Sequence, residues 1–335
     1  MIFFDLAFIW AGLIAFAVLA YVILDGFDLG VGILFPFMRG EADKDLAMNT
    51  VAPVWDGNET WLVLGGGGLF AVFPLAYAVV MPALYVPVIV MLLALVFRGV
   101  AFEFRWRTTR GKFLWDVSFT FGSFMAALAQ GIALGALVQG IAVEGRAYAG
   151  GNWDWLTPFS VLTGVALVAA YALMGATWLV MKTEGPVRTV AKRMAMWTGG
   201  ATLALVGLVS LITPFLNPLY LDRWFGFPNV LFSVPVPAAI LVAAFVFVKG
   251  LRDQRDAWPF LATIALFVLS FIGLGISFYP YMVPPSLTIW DVAAPDESLW
   301  FLLVGAVVLV PMILAYTGYA YWVFRGKVDP AGGYH

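Results

Sequence analysis

Long apolar runs separated by short polar stretches dominate the chain. Nine of them are long enough to cross a hydrocarbon core, which takes about 20 apolar residues. They lie at roughly 7–35, 53–73, 77–103, 115–143, 158–181, 196–216, 229–248, 258–280 and 298–324. Each predicts a membrane-spanning helix, and the longer ones predict tilt or extension beyond the bilayer. The expected fold class is therefore all-α: a polytopic membrane protein of nine transmembrane helices in one integral membrane domain, 1–335. The connection 281–297 is long enough to lie along the membrane surface. The prolines at 280, 284 and 285 beside it cannot continue a helix. No fixed-period repeat or low-complexity segment is present.

Composition agrees with the pattern. The chain is 63% hydrophobic and 11% charged, against about a quarter charged in a soluble domain. A net charge of −2 says nothing about a nucleic-acid partner; no basic patch or nucleic-acid motif appears, so none is expected. The absence of cysteine excludes disulfides, thiolate metal sites and iron–sulfur clusters. The single histidine, His335, leaves no imidazole for a buried haem or metal, and the scattered methionines read as packing. Met1–Asp5 has no basic region of the signal-peptide kind, so the first helix is expected to be retained.

Charge placement orients the helices. Arg39 and Lys44; Arg105, Arg107, Arg110 and Lys112; Lys182, Arg188, Lys192 and Arg193; Lys249, Arg252 and Arg255; and Arg325 and Lys327 fall in alternate connections or in the tail. The opposite connections hold only Arg146 and Arg223. The positive-inside rule places the first set in the cytoplasm, with the N-terminus outside and the C-terminus inside. Trp153, Trp155 and Trp224 then suit an outer interfacial belt.

Six charged groups interrupt the apolar runs. Asp25 and Asp28 lie late in the first, Asp56 and Glu59 open the second, and Arg98 and Glu103 close the third. With the orientation above, all six converge on the cytoplasmic third of the membrane. Charges there are costly, about 3 kcal/mol each on insertion scales, and mark functional sites. One reading is structural, with Arg98 pairing Asp25 or Asp56 to lock helices together. The other is functional: five acids and one base leave carboxylates without a cation, and a file of protonatable groups is what proton uptake needs. The run Gly65–Gly68 reads as close helix packing, and Gln130 and Gln139 as interhelical hydrogen bonds. No nucleophile–base pair, phosphate loop or metal cluster supports enzyme chemistry within this chain alone. A proton-driven secondary transporter and a subunit of a membrane redox complex remain open.

Three motifs narrow the choice. Leu24-Asp25-Gly26-Phe27-Asp28-Leu29-Gly30-Val31-Gly32, Trp55-Asp56-Gly57-Asn58-Glu59-Thr60-Trp61 and Phe97-Arg98-Gly99-Val100-Ala101-Phe102-Glu103-Phe104-Arg105, in this order, resemble subunit II of the cytochrome bd-type quinol oxidases. The stretch from Tyr279 to Trp290 and the ending Phe324–His335 resemble the same family in its short, cyanide-insensitive form. The resemblance implies two four-helix bundles (helices 1–4, about 7–143; helices 5–8, about 158–280) and a peripheral ninth helix, about 298–324. It implies a complex that oxidises quinol, reduces dioxygen to water and takes the protons from the cytoplasm. Two b-type haems and haem d would sit in the partner, subunit I, with none ligated by this chain. Small accessory subunits, membrane lipid and quinone complete the expected surroundings, in a bacterial cytoplasmic membrane. By motif, Asp56 matches a buried aspartate on the proton route, and Asp25, Arg98 and Glu103 match its neighbours; Asp28 and Glu59 are expected on the same proton pathway. The family pattern also takes Gln at 59 and Asp at 103. Trp61 matches a tryptophan near a proposed oxygen path. A transporter would instead need broken helices around a midplane site.

Overall fold

The computed structural model describes residues 5–329, so His335 and its neighbours lie outside the described residues. Fourteen helices follow one another among these residues: α1 (Leu6–Leu34), α2 (Gly40–Asn49), α3 (Trp55–Val72), α4 (Pro74–Ala83), α5 (Tyr85–Arg107), α6 (Lys112–Gln139), α7 (Pro158–Lys182), α8 (Gly185–Leu216), α9 (Pro218–Phe225), α10 (Val230–Ser233), α11 (Pro235–Arg252), α12 (Ala257–Phe278), α13 (Ile289–Val292) and α14 (Asp296–Val323). Strands are confined to two small antiparallel hairpins, β1 (Val143–Glu144) with β2 (Ala147–Tyr148), and β3 (Tyr281–Val283) with β4 (Leu287–Thr288). Eight helical segments are long and apolar enough to span a membrane: α1, α5, α6, α7, α8, α10 with α11, α12 and α14. The bent pair α3–α4 brings the number to nine.

That pair corrects the expected third span. The run 77–103 is not one helix. Its first part belongs to α4, turned 120° from α3, and the span proper begins at Tyr85. The cause is local. A proline disfavours helical backbone in the residue before it, and Phe73, ahead of Pro74, sits at φ −124°, ψ 61°. The positive stretches are also more helical than expected. Arg188, Lys192 and Arg193 ride on the first turns of α8, Lys249 and Arg252 on the last turn of α11, and Lys44 on α2. The connection 281–297 carries β3, β4 and α13.

Helices α1, α3, α5 and α6 form one bundle, and α7, α8, α11 and α12 a second. The bundles meet along α6–α7 and α1–α7. At the α1–α7 crossing, backbones touch. A Cβ on Gly30 would lie 1.9 Å from the Tyr171 carbonyl oxygen, and one on Gly175 2.2 Å from the Gly30 carbonyl carbon. Without hydrophobic drive between helices in lipid, such close contact is what holds helices together.

Helix α14 is peripheral, with Leu299 its buried residue. Side chains pin it at three levels. The Trp10 indole donates to Leu299 O at 3.1 Å, the Tyr321 hydroxyl to Asn58 Oδ1 at 2.8 Å, and Lys182 Nζ to Phe324 O at 2.5 Å. Beyond α14, Val328 N donates to Lys182 O, and Lys327 Nζ reaches Thr183 O and Asp256 Oδ2.

Candidate functional site

One stripe of α1 is buried along its length: Trp10, Ile14, Ala17, Tyr21, Asp25 and Asp28. The steps of three and four residues keep these side chains on one helix face. Toward the C-terminal end of α1 that face turns polar, and α3 and α5 bring charge to meet it. Arg98 of α5 is completely buried. One terminal nitrogen of its guanidinium pairs with Asp25 Oδ1, and the other donates to Glu59 Oε2 at 3.0 Å. The cation lies 5.7 Å from the Trp55 ring and 5.8 Å from that of Phe102, which stack on each other at 4.9 Å. A guanidinium suits this place because its fork serves two carboxylates while its flat face rests on aromatic rings.

Asp28 is held differently. The Asn58 amide donates to its Oδ2 at 2.8 Å and to Leu24 O at 3.2 Å, while Asn58 Oδ1 accepts from Tyr321 of α14. Asp28 thus has no direct cation. Asp25 Oδ2 and Asp28 Oδ1, both buried, make no hydrogen bond to a protein group.

Of the six charged residues singled out by sequence, the structure brings four together: Asp25, Asp28, Glu59 and Arg98. Asp56 and Glu103 are exposed in this chain and stand apart from the buried set. Both line a groove of about 490 Å³ bounded by residues 52–58 and, across it, by Tyr316, Thr317, Ala320 and Tyr321 of α14. The expectation that Arg98 pairs with Asp25 or Asp56 resolves to Asp25, with Glu59 as second partner. Asp56 lies three residues before Glu59 and opens α3, where its carboxylate faces the groove. Glu103 pairs along its own helix with Arg107 at 3.8 Å. The groove reaches the buried set through Asn58, which lines it and holds Asp28.

Trp61 is buried one turn further along α3, edge-on to Phe16 at 5.7 Å. It lines an apolar cleft of about 320 Å³ with Gly67, Gly68 and Ile313 of α14. The glycine run divides by face. Gly65 and Gly68 pack on Val18 and Ile14 of α1, whereas Gly66 and Gly67 have open space where a Cβ would be.

Sequence reasoning missed several members. Asn58 lay inside a quoted motif, and its role needed the partner helices to be known. Tyr21 stood one turn before Asp25 on the same face, a signal that was present. Tyr171 and Tyr321 are aromatic residues among many. Arg105, read as a loop charge, is fully buried at the end of α5, where Asp116 (2.6 Å), Asp45 (2.5 Å) and Glu41 (3.1 Å) bind it and tie α2 to the first bundle.

Two α-helical bundles with a buried cluster of acids and an arginine at one end define a multi-pass membrane protein. Comparison with known proteins makes this specific. The profile of the family described as cytochrome bd terminal oxidase subunit II matches residues 6–324, and the chain belongs to that family. It is 32% identical to cytochrome bd-I ubiquinol oxidase subunit 2 of Escherichia coli K12, over 96% of this chain and 95% of that one. It is 28% identical to cytochrome bd ubiquinol oxidase subunit 2 of Bacillus subtilis, over 96% of each. The bd oxidase structure from Geobacillus thermodenitrificans superposes with a TM-score of 0.75 at 19% identity, covering 96% of this chain and 99% of that one, and so shares its fold. The chain is thus subunit II of a bd-type terminal oxidase, a multi-pass protein of the bacterial inner membrane that works with a partner subunit. The transporter reading finds no support, and among the described residues the one sharp helix break, at Phe73–Pro74, lies at the end of α3 away from the charged cluster.

The family implies haem in the complex. Among the described residues there is no histidine or cysteine, and no group of three His, Cys, Asp or Glu placed to hold a metal. Met48 and Met174 are packed in the apolar core. The described residues do not offer a haem its usual ligands.

Proposed function

We propose that this chain brings protons from the cytoplasm to the oxygen-reducing centre of its partner, subunit I, and holds that partner in the membrane. In this reading two b-type haems and haem d belong to subunit I, none to this chain, and quinol is the electron donor of the complex. The observation that carries the reading is a pair of buried carboxylates, Asp25 and Asp28, each with one oxygen free of protein partners, of which Asp28 is bound by Asn58, a residue that lines an open groove. A free carboxylate oxygen can take a proton and release it.

The roles divide by environment. Asp56 and Glu103 at the groove collect protons. Glu59, with 28% of its side chain exposed, stands between groove and interior. Arg98 fixes the charge of Asp25 and Glu59. Asp28, bound by a neutral amide, is the acid whose charge is least compensated. The cleft beside Trp61 is the oxygen path, and the open side of Gly66–Gly67 is part of the face that receives subunit I. The N-terminus lies outside and the C-terminus in the cytoplasm. A reporter fused after His335 would read cytoplasmic, and one within 144–157 external.

Asp56→Asn keeps the size of the side chain and removes its proton. In complexes with full haem content, quinol oxidase turnover per haem d is expected to fall roughly tenfold or more, as for other acid–base groups, with Asp56→Glu retaining more. Normal turnover per haem d in Asp56→Asn would end the assignment of Asp56.

A further inference from the structure

The buried Asn58 amide of α3 links α1 to α14. Its nitrogen has two hydrogens to give. One goes to Asp28 Oδ2 at 2.8 Å and the other to the Leu24 carbonyl at 3.2 Å, both on α1. Its oxygen accepts from the Tyr321 hydroxyl of α14 at 2.8 Å. A carbonyl can only accept, so the nitrogen has to face Leu24 and the oxygen α14. Turned over, the amide would set its oxygen against the Leu24 carbonyl and the Asp28 carboxylate, three acceptors with no proton between them. Tyr321 supplies the donor that the correct orientation needs. Its ring stands edge-on to Phe27 of α1 and to Trp178 of α7, each at 6.4 Å, and those two rings stack on each other at 4.1 Å. Three residues further along α14, Lys182 clasps the Phe324 carbonyl. The hydroxyl is thus aimed by contacts from two bundles.

An amide gives hydrogen bonds without losing protons, so Asn58 is not itself a relay. It holds one oxygen of Asp28. The other, Oδ1, makes no hydrogen bond to a protein group and is the atom at which a proton can come and go. We infer that Tyr321 is a positioning residue of the proton route, keeping the Asn58 amide turned so that Asp28 Oδ2 always receives a donor and Oδ1 is left for exchange. This rests on the proton-uptake reading above. Tyr321 and Asn58 both line the groove, so the orientation is set where the route meets the buried acids. The peripheral helix thereby takes part in the reaction through one hydroxyl.

The test uses the assembled oxidase carrying Tyr321→Phe, Asn58→Leu, both together, or Asp28→Asn. Turnover per haem d, KM for quinol and the solvent deuterium isotope effect are measured in each. Tyr321→Phe keeps the ring and its contacts with Phe27 and Trp178, removes only the hydroxyl, and remains informative if Asn58→Leu assembles poorly. It is expected to lower turnover about threefold, the worth of a neutral hydrogen bond, and Asn58→Leu about tenfold, the worth of one to a charged group. In both, KM should stay unchanged and the isotope effect should rise, because proton delivery slows while quinol binding is untouched. The double variant should be as slow as Asn58→Leu and no slower, since Tyr321 acts only through the amide. Normal turnover in Tyr321→Phe would overturn the inference, as would additive losses in the double variant, or a fall in haem content with normal turnover per haem d. Asp28→Asn separates the two claims. If it is slow while Tyr321→Phe is normal, the positioning role fails and the route through Asp28 stands. If Asp28→Asn itself turns over normally, the proton-uptake reading fails at this acid and the positioning role fails with it.

Discussion

Replacing Arg98 by Gln tests whether the buried cluster is a balanced set of charges. Arg98 is completely buried, as is Asp25, and Glu59 shares the same guanidinium. Removing the cation leaves Asp25 uncompensated in a medium that cannot solvate it. Breaking a buried pair from one side costs about 3–5 kcal/mol, equivalent to a factor of roughly 10² to 10⁴ in a folding or assembly equilibrium. The contact of the cation with Trp55 and Phe102 adds about 1–2 kcal/mol to the loss, since it is desolvated. The second half of the cycle carries the argument. Asp25→Asn in the Arg98→Gln background removes the stranded charge, so the double variant should recover about 1–3 kcal/mol, a coupling typical of residues in one network. The assay is the midpoint of thermal loss of intact complex, followed by size-exclusion chromatography and haem absorbance, for wild type, both single variants and the double. A double variant no more stable than Arg98→Gln alone would refute the balanced-charge reasoning.

Other consequences are equally direct. Gly30→Ala places a methyl group 1.9 Å from the Tyr171 carbonyl and should prevent stable assembly, whereas Gly200→Ala, with nothing within 4 Å, should be neutral or slightly stabilising, read as complex yield in membranes. Asp256 lies outside the spans between α11 and α12. Burial there favours its neutral form, but hydrogen bonds from Arg188 and Lys327 outweigh this and hold its pKa below the usual carboxylate range. Its stabilising effect is therefore present above the unfolded-state pKa of about 3.9 and is lost as pH falls through the lower folded value. Asp256→Asn should lower the melting midpoint modestly at pH 7, within the roughly 1 kcal/mol of a surface pair, and the difference from wild type should vanish under strongly acid conditions. Tyr321→Phe removes the bond from α14 to Asn58 and should weaken α14 docking by about 1 kcal/mol, seen as faster hydrogen exchange in α14.

The nine spans were legible because each apolar run is its own signal, independent of the others. The boundary between α4 and α5 was not, since Pro74 and Leu84 interrupt a run that stays apolar throughout. Four site residues could be read directly, because a charge inside an apolar run stands out wherever its helix packs. Which acid meets Arg98 depends on helix rotation, and rotation is set by contacts such as Gly30 on Gly175 that no single run reveals. Asp56 shows the same limit. Its position at the head of α3 was clear, but the face it occupies turns toward a groove rather than toward Asp25. Asn58 carries no charge, so its role emerged only with its partners.

The clasp at Lys182 has a consequence for how the molecule is made. Its ammonium sits buried, and its acceptor, the Phe324 carbonyl, lies 142 residues later in the chain. Until the ribosome has delivered that segment, α7 waits in the bilayer with a cation that has no carbonyl to meet. The closing of this contact marks the moment at which the peripheral helix is seated. A chain halted before Phe324 would display an unpaired charge at the edge of the second bundle, a feature that a membrane quality-control protease could use to tell an unfinished subunit from a finished one.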